Sequence, residues 1–293
     1  MDYIIRAINK EKDVKIQVAI TTGIVENARK IHGLSKTSSA ALGRVLTAGV
    51  MMTDDLKNKE DSLTINIRGD GSIGRIIVTG KNDGKIKGYV DHPEADVDIR
   101  ESDNKLDVSK IIGNGTLTIV KDLGLKEPYT GQVPLVSGEV AEDLANYFYT
   151  SDQIPSVVGL GVLVDRDYSV KRAGGFILQL MPGASEETIS RIEENIKDIK
   201  SVTEMMEENY DAKDIMNRVM DGFEMTILEK KEIEYKCDCS REKIKDAILS
   251  LGTDEINSIL KEDKETEVKC YFCNESYKFN EEDLEELLEI SKN

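Results

Sequence analysis

Residues 237–273 read CDCSREKIKDAILSLGTDEINSILKEDKETEVKCYFC and carry all four cysteines of the 293-residue chain, as Cys237-Asp-Cys239, a thirty-residue spacer, and Cys270-Tyr-Phe-Cys273. Two close pairs of thiols, C-x-C and C-x-x-C, have the ligand spacing of a tetrahedral zinc site. The same pairs can close into two short-range disulfides. A Cys237–Cys239 bridge would join residues near the upper limit of disulfide Cα separation, so it would be strained and readily reduced. Ile244, Ile248 and Leu251 recur at helical spacing in the spacer. Residues 232–293 therefore read as a small zinc-binding domain, with zinc supplying about 10–16 kcal/mol of folding free energy that so short a segment lacks. Oxidising the thiolates would remove that contribution in one step.

Charge separates this region from the rest. The chain carries a formal charge of -17, and residues 232–293 hold 18 acidic against 9 basic side chains. Residues 184–231 hold 13 against 7, which leaves only -2 for residues 1–183. An acidic field repels phosphate, so neither a nucleic-acid partner nor an anionic membrane is expected. The opening MDYIIRAINKEKD lacks the basic and apolar regions of a signal peptide. Arg44 interrupts the most apolar run, ALGRVLTAGVMM, which falls short of a bilayer span. A cytosolic protein is expected, and in a reducing compartment clustered cysteines read as metal ligands or redox centres.

Upstream of the cysteines, Pro182-Gly183 marks a boundary. Ser185 then caps a helix whose first turn carries Glu186 and Glu187. Ile189, Ile192, Ile196, Ile199 and Val202 continue it at helical spacing, and a second amphipathic stretch is expected around Ile215–Leu228. Six of the nine methionines fall between Met181 and Met225. Methionine is flexible and polarizable, which suits a stripe that covers a sheet at rest and accepts irregular apolar partners when uncovered.

Residues 1–183 read as a mixed α/β core. Strands are expected at Tyr3–Ala7, Lys15–Thr21, Ser62–Ile67, Arg75–Thr79, Lys85–Val90, Thr116–Val120, Val157–Asp165 and Phe176–Met181, with Gly69-Asp70-Gly71 and Asn82-Asp83-Gly84 as hairpin turns. Helices are expected near Val25–Ile31, Ser38–Met52 and Glu139–Tyr149. The whole is then α+β: a sheet with helices on one face (1–183), a helical Met-rich linker folded on it (184–231) and the four-cysteine domain (232–293).

Other motifs carry less. Gly69-Asp70-Gly71-Ser72-Ile73-Gly74 matches G-x-G-x-x-G, but Arg75-Ile-Ile-Val-Thr after it reads as a strand, so the motif is a tight turn and not a dinucleotide site. His32 and His92 stand alone. Neither a Ser-His-Asp set nor a catalytic Cys-His pair is apparent, so an enzyme is not expected.

Taken together, the sequence resembles the heat shock protein 33 family of redox-regulated holdase chaperones. The resemblance rests on Tyr129-Thr-Gly-Gln-Val-Pro-Leu-Val-Ser-Gly-Glu-Val-Ala-Glu-Asp-Leu-Ala, Tyr147-Phe-Tyr-Thr-Ser, Pro155-Ser-Val-Val-Gly-Leu-Gly, Ala173-Gly-Gly-Phe-Ile-Leu-Gln-Leu-Met-Pro-Gly-Ala and the two cysteine pairs. It implies one Zn²⁺ held by Cys237, Cys239, Cys270 and Cys273 in a reduced, inactive monomer. It further implies that oxidant with heat forms Cys237–Cys239 and Cys270–Cys273 disulfides, releases zinc, and unfolds the lobe and linker. The activated protein would dimerise and hold unfolding clients without ATP, in keeping with the absence of a Walker P-loop motif. Two other readings compete. One is a zinc ribbon that docks a partner in transcription or translation. The other is a thiol–disulfide oxidoreductase using Cys270-x-x-Cys273, against which stands the β-like Glu267-Val-Lys where a helix N-terminus is needed.

Overall fold

The computed structural model describes residues 1–100, 105–262 and 264–291, which fall into two compact units, 1–236 and 237–293. The first unit opens with strands β1 (Tyr3–Asn9) and β2 (Val14–Ile20) and helices α1 (Thr22–His32) and α2 (Lys36–Asp54). Strands β3 (Ser62–Gly69), β4 (Arg75–Lys81) and β5 (Lys85–Val90) follow, then the short β6 (Ile99–Arg100) and β7 (Lys105–Leu106) and the brief helix α3 (Val108–Ile112). Next come β8 (Gly115–Asp122), β9 (Tyr129–Pro134), α4 (Val140–Thr150), β10 (Ser156–Val164) and β11 (Val170–Leu180). Helices α5 (Glu186–Lys197), α6 (Val202–Glu207) and α7 (Ala212–Val219) lead to β12 (Met225–Glu232) and β13 (Glu234–Tyr235). The second unit holds α8 (Arg241–Leu249), α9 (Thr253–Glu262), the hairpin β14 (Thr266–Lys269) and β15 (Ser276–Phe279), and α10 (Glu281–Ser291).

The expected α+β class is what the structure has, with one correction to its layering. There are two large sheets, ordered β10-β11-β2-β1-β12 and β13-β5-β4-β3-β8-β9, and α2 runs between them, packing on β10 and β11 of one and β3, β4 and β5 of the other. Every residue of α2 except Lys36 and Arg44 is buried. A helix apolar or small on all sides is the kind that fits such a site. Ser35 starts it by accepting the Ser38 N–H at 3.0 Å. Gly43 and Gly49 then let it approach its neighbours. A Cβ at Gly43 would meet Val25 Cγ1 at 2.6 Å, and one at Gly49 would meet Val78 Cγ1 at 2.8 Å. The Gly69–Gly74 segment is the β3–β4 turn, as its flanking strands imply, and no helix follows it.

Ser185 caps α5 as expected, accepting the Thr188 N–H at 3.1 Å. α6 and α7 each open with a capping box, Ser201 with Glu204 and Asp211 with Asp214. Ile192, Val202, Met205, Met206, Ile215, Met216, Val219 and Met220 from these helices form one buried cluster with Ile5, Val14, Ile16, Val18, Phe176 and Leu178 of the first sheet. The helix expected to run to Leu228 ends at Val219, and residues 225–232 are strand β12 paired antiparallel with β1. Gly222, at φ +79°, turns the chain between them. Arg6 to Glu229 at 2.6 Å and Lys231 to Asp54 at 3.5 Å fix that strand, contacts distant in sequence that a local pattern does not report. The boundary between the two compact units falls at 236/237.

Candidate metal centre

The second unit is built around five buried apolar residues, Ile248, Ile256, Phe279, Leu284 and Leu287, with partly buried apolar side chains packed on them. Arg241 organises them: its guanidinium donates to the Lys278 carbonyl at 2.7 Å and to Asp283 at 2.8 Å, and it lies 4.4 Å from the Phe279 ring centroid. One side chain thereby joins α8, β15 and the start of α10. Ser240, immediately after Cys239, caps α8 by accepting the Lys243 N–H at 3.3 Å. Lys243 also pairs with Asp238, between the first two cysteines. The C-x-C pair is thus held by the entry to α8.

The C-x-x-C pair sits in the connection of the β14–β15 hairpin. The Cys270 N–H donates to the Glu275 carbonyl at 2.9 Å and the Asn274 N–H to the Cys270 carbonyl at 2.8 Å, with Asn274 in the left-handed region at φ +59°. This knuckle turns both sulfurs toward the C-x-C pair. All four Sγ atoms lie within 4.8 Å of one another, and among the described residues this is the one gathering of His, Cys, Asp or Glu donors close enough to hold a metal ion. Contacts run across the pairs, Cys237 to Cys270 at 3.7 Å and Cys239 to Cys273 at 3.3 Å. Tetrahedral zinc with Zn–S bonds of about 2.3 Å places its sulfurs about 3.8 Å apart. The donor set fits.

Electrostatics point the same way. Burial pushes the Cys237 thiol up to about 11, and burial also raises Cys273. Cys239 is lowered overall: burial opposes ionisation, but hydrogen bonds from Tyr277 and Cys273 outweigh it. Partly buried thiolates crowded together need a cation, and a divalent ion is what lets such a set deprotonate. His32 instead contacts the Tyr235 hydroxyl at 3.1 Å, and His92 lies 3.7 Å from Glu94, so neither joins a donor cluster. Three participants were not singled out from the sequence. Tyr277, Glu275 and Arg241 come to the site through hairpin register and helix packing, and the only local hint was the alternation Ser276-Tyr-Lys-Phe279 after the last cysteine.

Comparison with known proteins extends the likeness over almost the whole chain. The family model described as Hsp33 protein matches residues 2–280. The 33 kDa chaperonin of Clostridium perfringens strain ATCC 13124 is 48% identical over 289 residues, covering 98% of this chain and 91% of that protein. The 33 kDa chaperonin of Clostridium botulinum strain 657 is 46% identical, covering 98% and 97%. Among solved structures, the 33 kDa chaperonin (heat shock protein 33 homolog) of Thermotoga maritima superposes with a TM-score of 0.90 at 40% identity, covering 98% of each chain. A four-sulfur centre at the C-terminal end of an α+β core, matched end to end at this identity, leaves one assignment: the chain belongs to the Hsp33 family of chaperones.

Proposed function

We propose that this chaperone is a redox-switched holdase in which the four cysteines are both the zinc ligands and the sensor. The observation that carries the reading is the convergence of the four sulfurs within 4.8 Å in a unit with a very small apolar core. In the reduced state Cys237, Cys239, Cys270 and Cys273 act as thiolates on one Zn²⁺, and the bound ion supplies the folding free energy that the five-residue core lacks. Oxidation closes Cys237–Cys239 and Cys270–Cys273. Each disulfide takes two electrons from two thiolates and passes them to one peroxide, which accepts two protons and leaves as water. The ligands are then gone, and zinc is lost.

The cross-pair approaches of the resting state do not oppose this pairing. They depend on the folded lobe, whereas partners two or three residues apart stay close after it loosens. Loosening extends to the linker helices, residues 186–219, whose Met205, Met206 and Met216 cover the first sheet. Uncovering that surface exposes apolar strands and a flexible Met-rich segment to unfolding proteins, which are held without ATP. The oxidised form associates as a homodimer. The protein works in the cytoplasm as a binding protein and not an enzyme, with neither nucleic acid nor membrane as a partner. No helix among the described residues is long and apolar enough to cross a membrane.

The test is a paired measurement on the reduced protein and on the same sample after warm peroxide. Zinc content and free thiols are counted, and light scattering from a thermally aggregating client is followed. One zinc and four thiols before, none after, and suppression of aggregation only after oxidation is the expected result. Suppression by the reduced form alone contradicts the switch.

A further inference from the structure

The sulfur of Cys239 has a close neighbour outside the ligand set. Tyr277 Oη stands 3.2 Å from Cys239 Sγ and also 3.2 Å from Glu275 Oε2, and that carboxylate oxygen is itself 4.0 Å from the sulfur. Tyr277 is placed firmly: it lies on β15, two residues before the fully buried Phe279 and therefore on the same face of the strand. Cys237 and Cys273 accept backbone donors, from the N–H groups of Cys239 and Glu275. Cys239 is contacted instead by a side-chain hydroxyl, that of Tyr277, which substitution can remove.

Proton counting decides what the contact does. A phenol carries one proton to donate, and a carboxylate only accepts. A metal-bound Cys239 is a thiolate with no proton of its own. The Tyr277 O–H must then donate to sulfur, or to Glu275 in its place. When it points to sulfur it offsets part of the negative charge that four thiolates bring to a divalent ion, and it fixes the direction of the Cys239 ligand. When it points to Glu275 the sulfur loses that donor and faces a like charge.

We infer that Tyr277 is a positioning residue of the metal centre, whose hydroxyl holds Cys239 as a ligand, while Glu275 competes for the same proton and limits how firmly the ligand is held. The inference rests on the reading of the four cysteines as a metal site. It differs from a purely structural role for the tyrosine, because it requires a change in the electronic character of the sulfur itself.

The experiment uses the full-length reduced protein with Co²⁺ as the probe, read by the thiolate-to-cobalt charge-transfer band and by competition with a chelator, and with Zn²⁺ release as a second measure. Tyr277→Phe is expected to weaken metal binding about ten-fold, the usual scale for losing a partner of a metal ligand. Its charge-transfer band moves to lower energy, since a sulfur without a hydrogen bond gives up electron density more easily. Glu275→Gln is expected to do the opposite on both measures, slowing release and moving the band to higher energy. A Tyr277→Phe protein that binds Co²⁺ with an unmoved band overturns the inference, as does a Glu275→Gln protein that moves in the same direction. Where Tyr277→Phe fails to fold, the Glu275→Gln result alone decides: unchanged or weaker binding overturns it. A parent that takes up no Co²⁺ overturns the metal reading and this inference together, whereas a parent that binds with Tyr277→Phe indistinguishable from it overturns the inference alone.

Discussion

The two compact units of this chain reach stability by different means. Residues 1–236 enclose a nineteen-residue helix, α2, between two large sheets, and their two buried clusters together draw on nearly every element of the unit. Residues 237–293 bury five apolar side chains and gather four sulfurs within 4.8 Å of one another. Domains of about this size rarely supply enough burial to fold firmly alone and are commonly stapled by a metal or disulfides. The contrast teaches where a switch can be built. A ligand set that chemistry can erase controls a region only if that region has no other large source of stability.

The largest effect expected is on metal removal. Chelation under reducing conditions should cost the second unit about 10–16 kcal/mol, far more than its core can replace, and so unfold it. Circular dichroism should lose the helical signal of α8, α9 and α10 while the first unit keeps a cooperative thermal transition. If the second unit kept its structure without metal, the contrast would break.

Side-chain truncation gives a middle-sized effect that sharpens the comparison. Phe279→Ala and Ile65→Ala each remove a fully buried side chain, one from each unit, at a cost of about 2–5 kcal/mol apiece. The same loss should have unequal results: Phe279→Ala weakens metal retention in a chelator competition, whereas Ile65→Ala lowers the melting temperature of the first unit and leaves metal retention unchanged. Overpacking is smaller. Gly43→Ala places a methyl 2.6 Å from Val25 Cγ1 and 2.9 Å from Val162 Cγ2, which should destabilise the first unit by about 1–3 kcal/mol in a urea titration.

The smallest effect is electrostatic. Glu26 is held down to about 2 by the hydrogen bond from Arg29, against burial, with the Val170 N–H and Lys30 adding to the depression. A depressed acid stabilises the folded state above its unfolded value, and the gain disappears as pH falls through the folded one. For a pair this near the surface the gain is about 1 kcal/mol. Wild type should therefore exceed Glu26→Gln by that amount near neutral pH, and the gap should close as pH falls from the ordinary 4.5 toward about 2.

Much of this was legible in the sequence wherever the signal was local. Lys85–Val90 was read to the residue, and Ser62–Ile67 and Ser38–Met52 differ from β3 and α2 only by short end extensions, because alternation, turn glycines and helical spacing all act over a few residues. The cysteine pairs were legible for the same reason, and their convergence follows from the hairpin knuckle and the α8 cap. What escaped was set by distant partners. β12 looked helical, since its strand state is imposed by β1, more than 200 residues away. The second sheet and the position of α2 between the two were hidden likewise, because periodicity reports how many faces of an element are buried and not what buries them. Tyr277 and Glu275 were missed because only the hairpin register brings them to Cys239.

Hydrogen–deuterium exchange before and after warm peroxide tests the central claim most directly, since it reads both units in one sample. The account predicts that amides of residues 241–291 lose protection as zinc is released, that protection falls next in residues 186–219, and that the strands flanking α2 keep theirs. Retained protection in residues 241–291 after all four thiols are oxidised would contradict it, and so would simultaneous loss of protection in β3, β4 and α2.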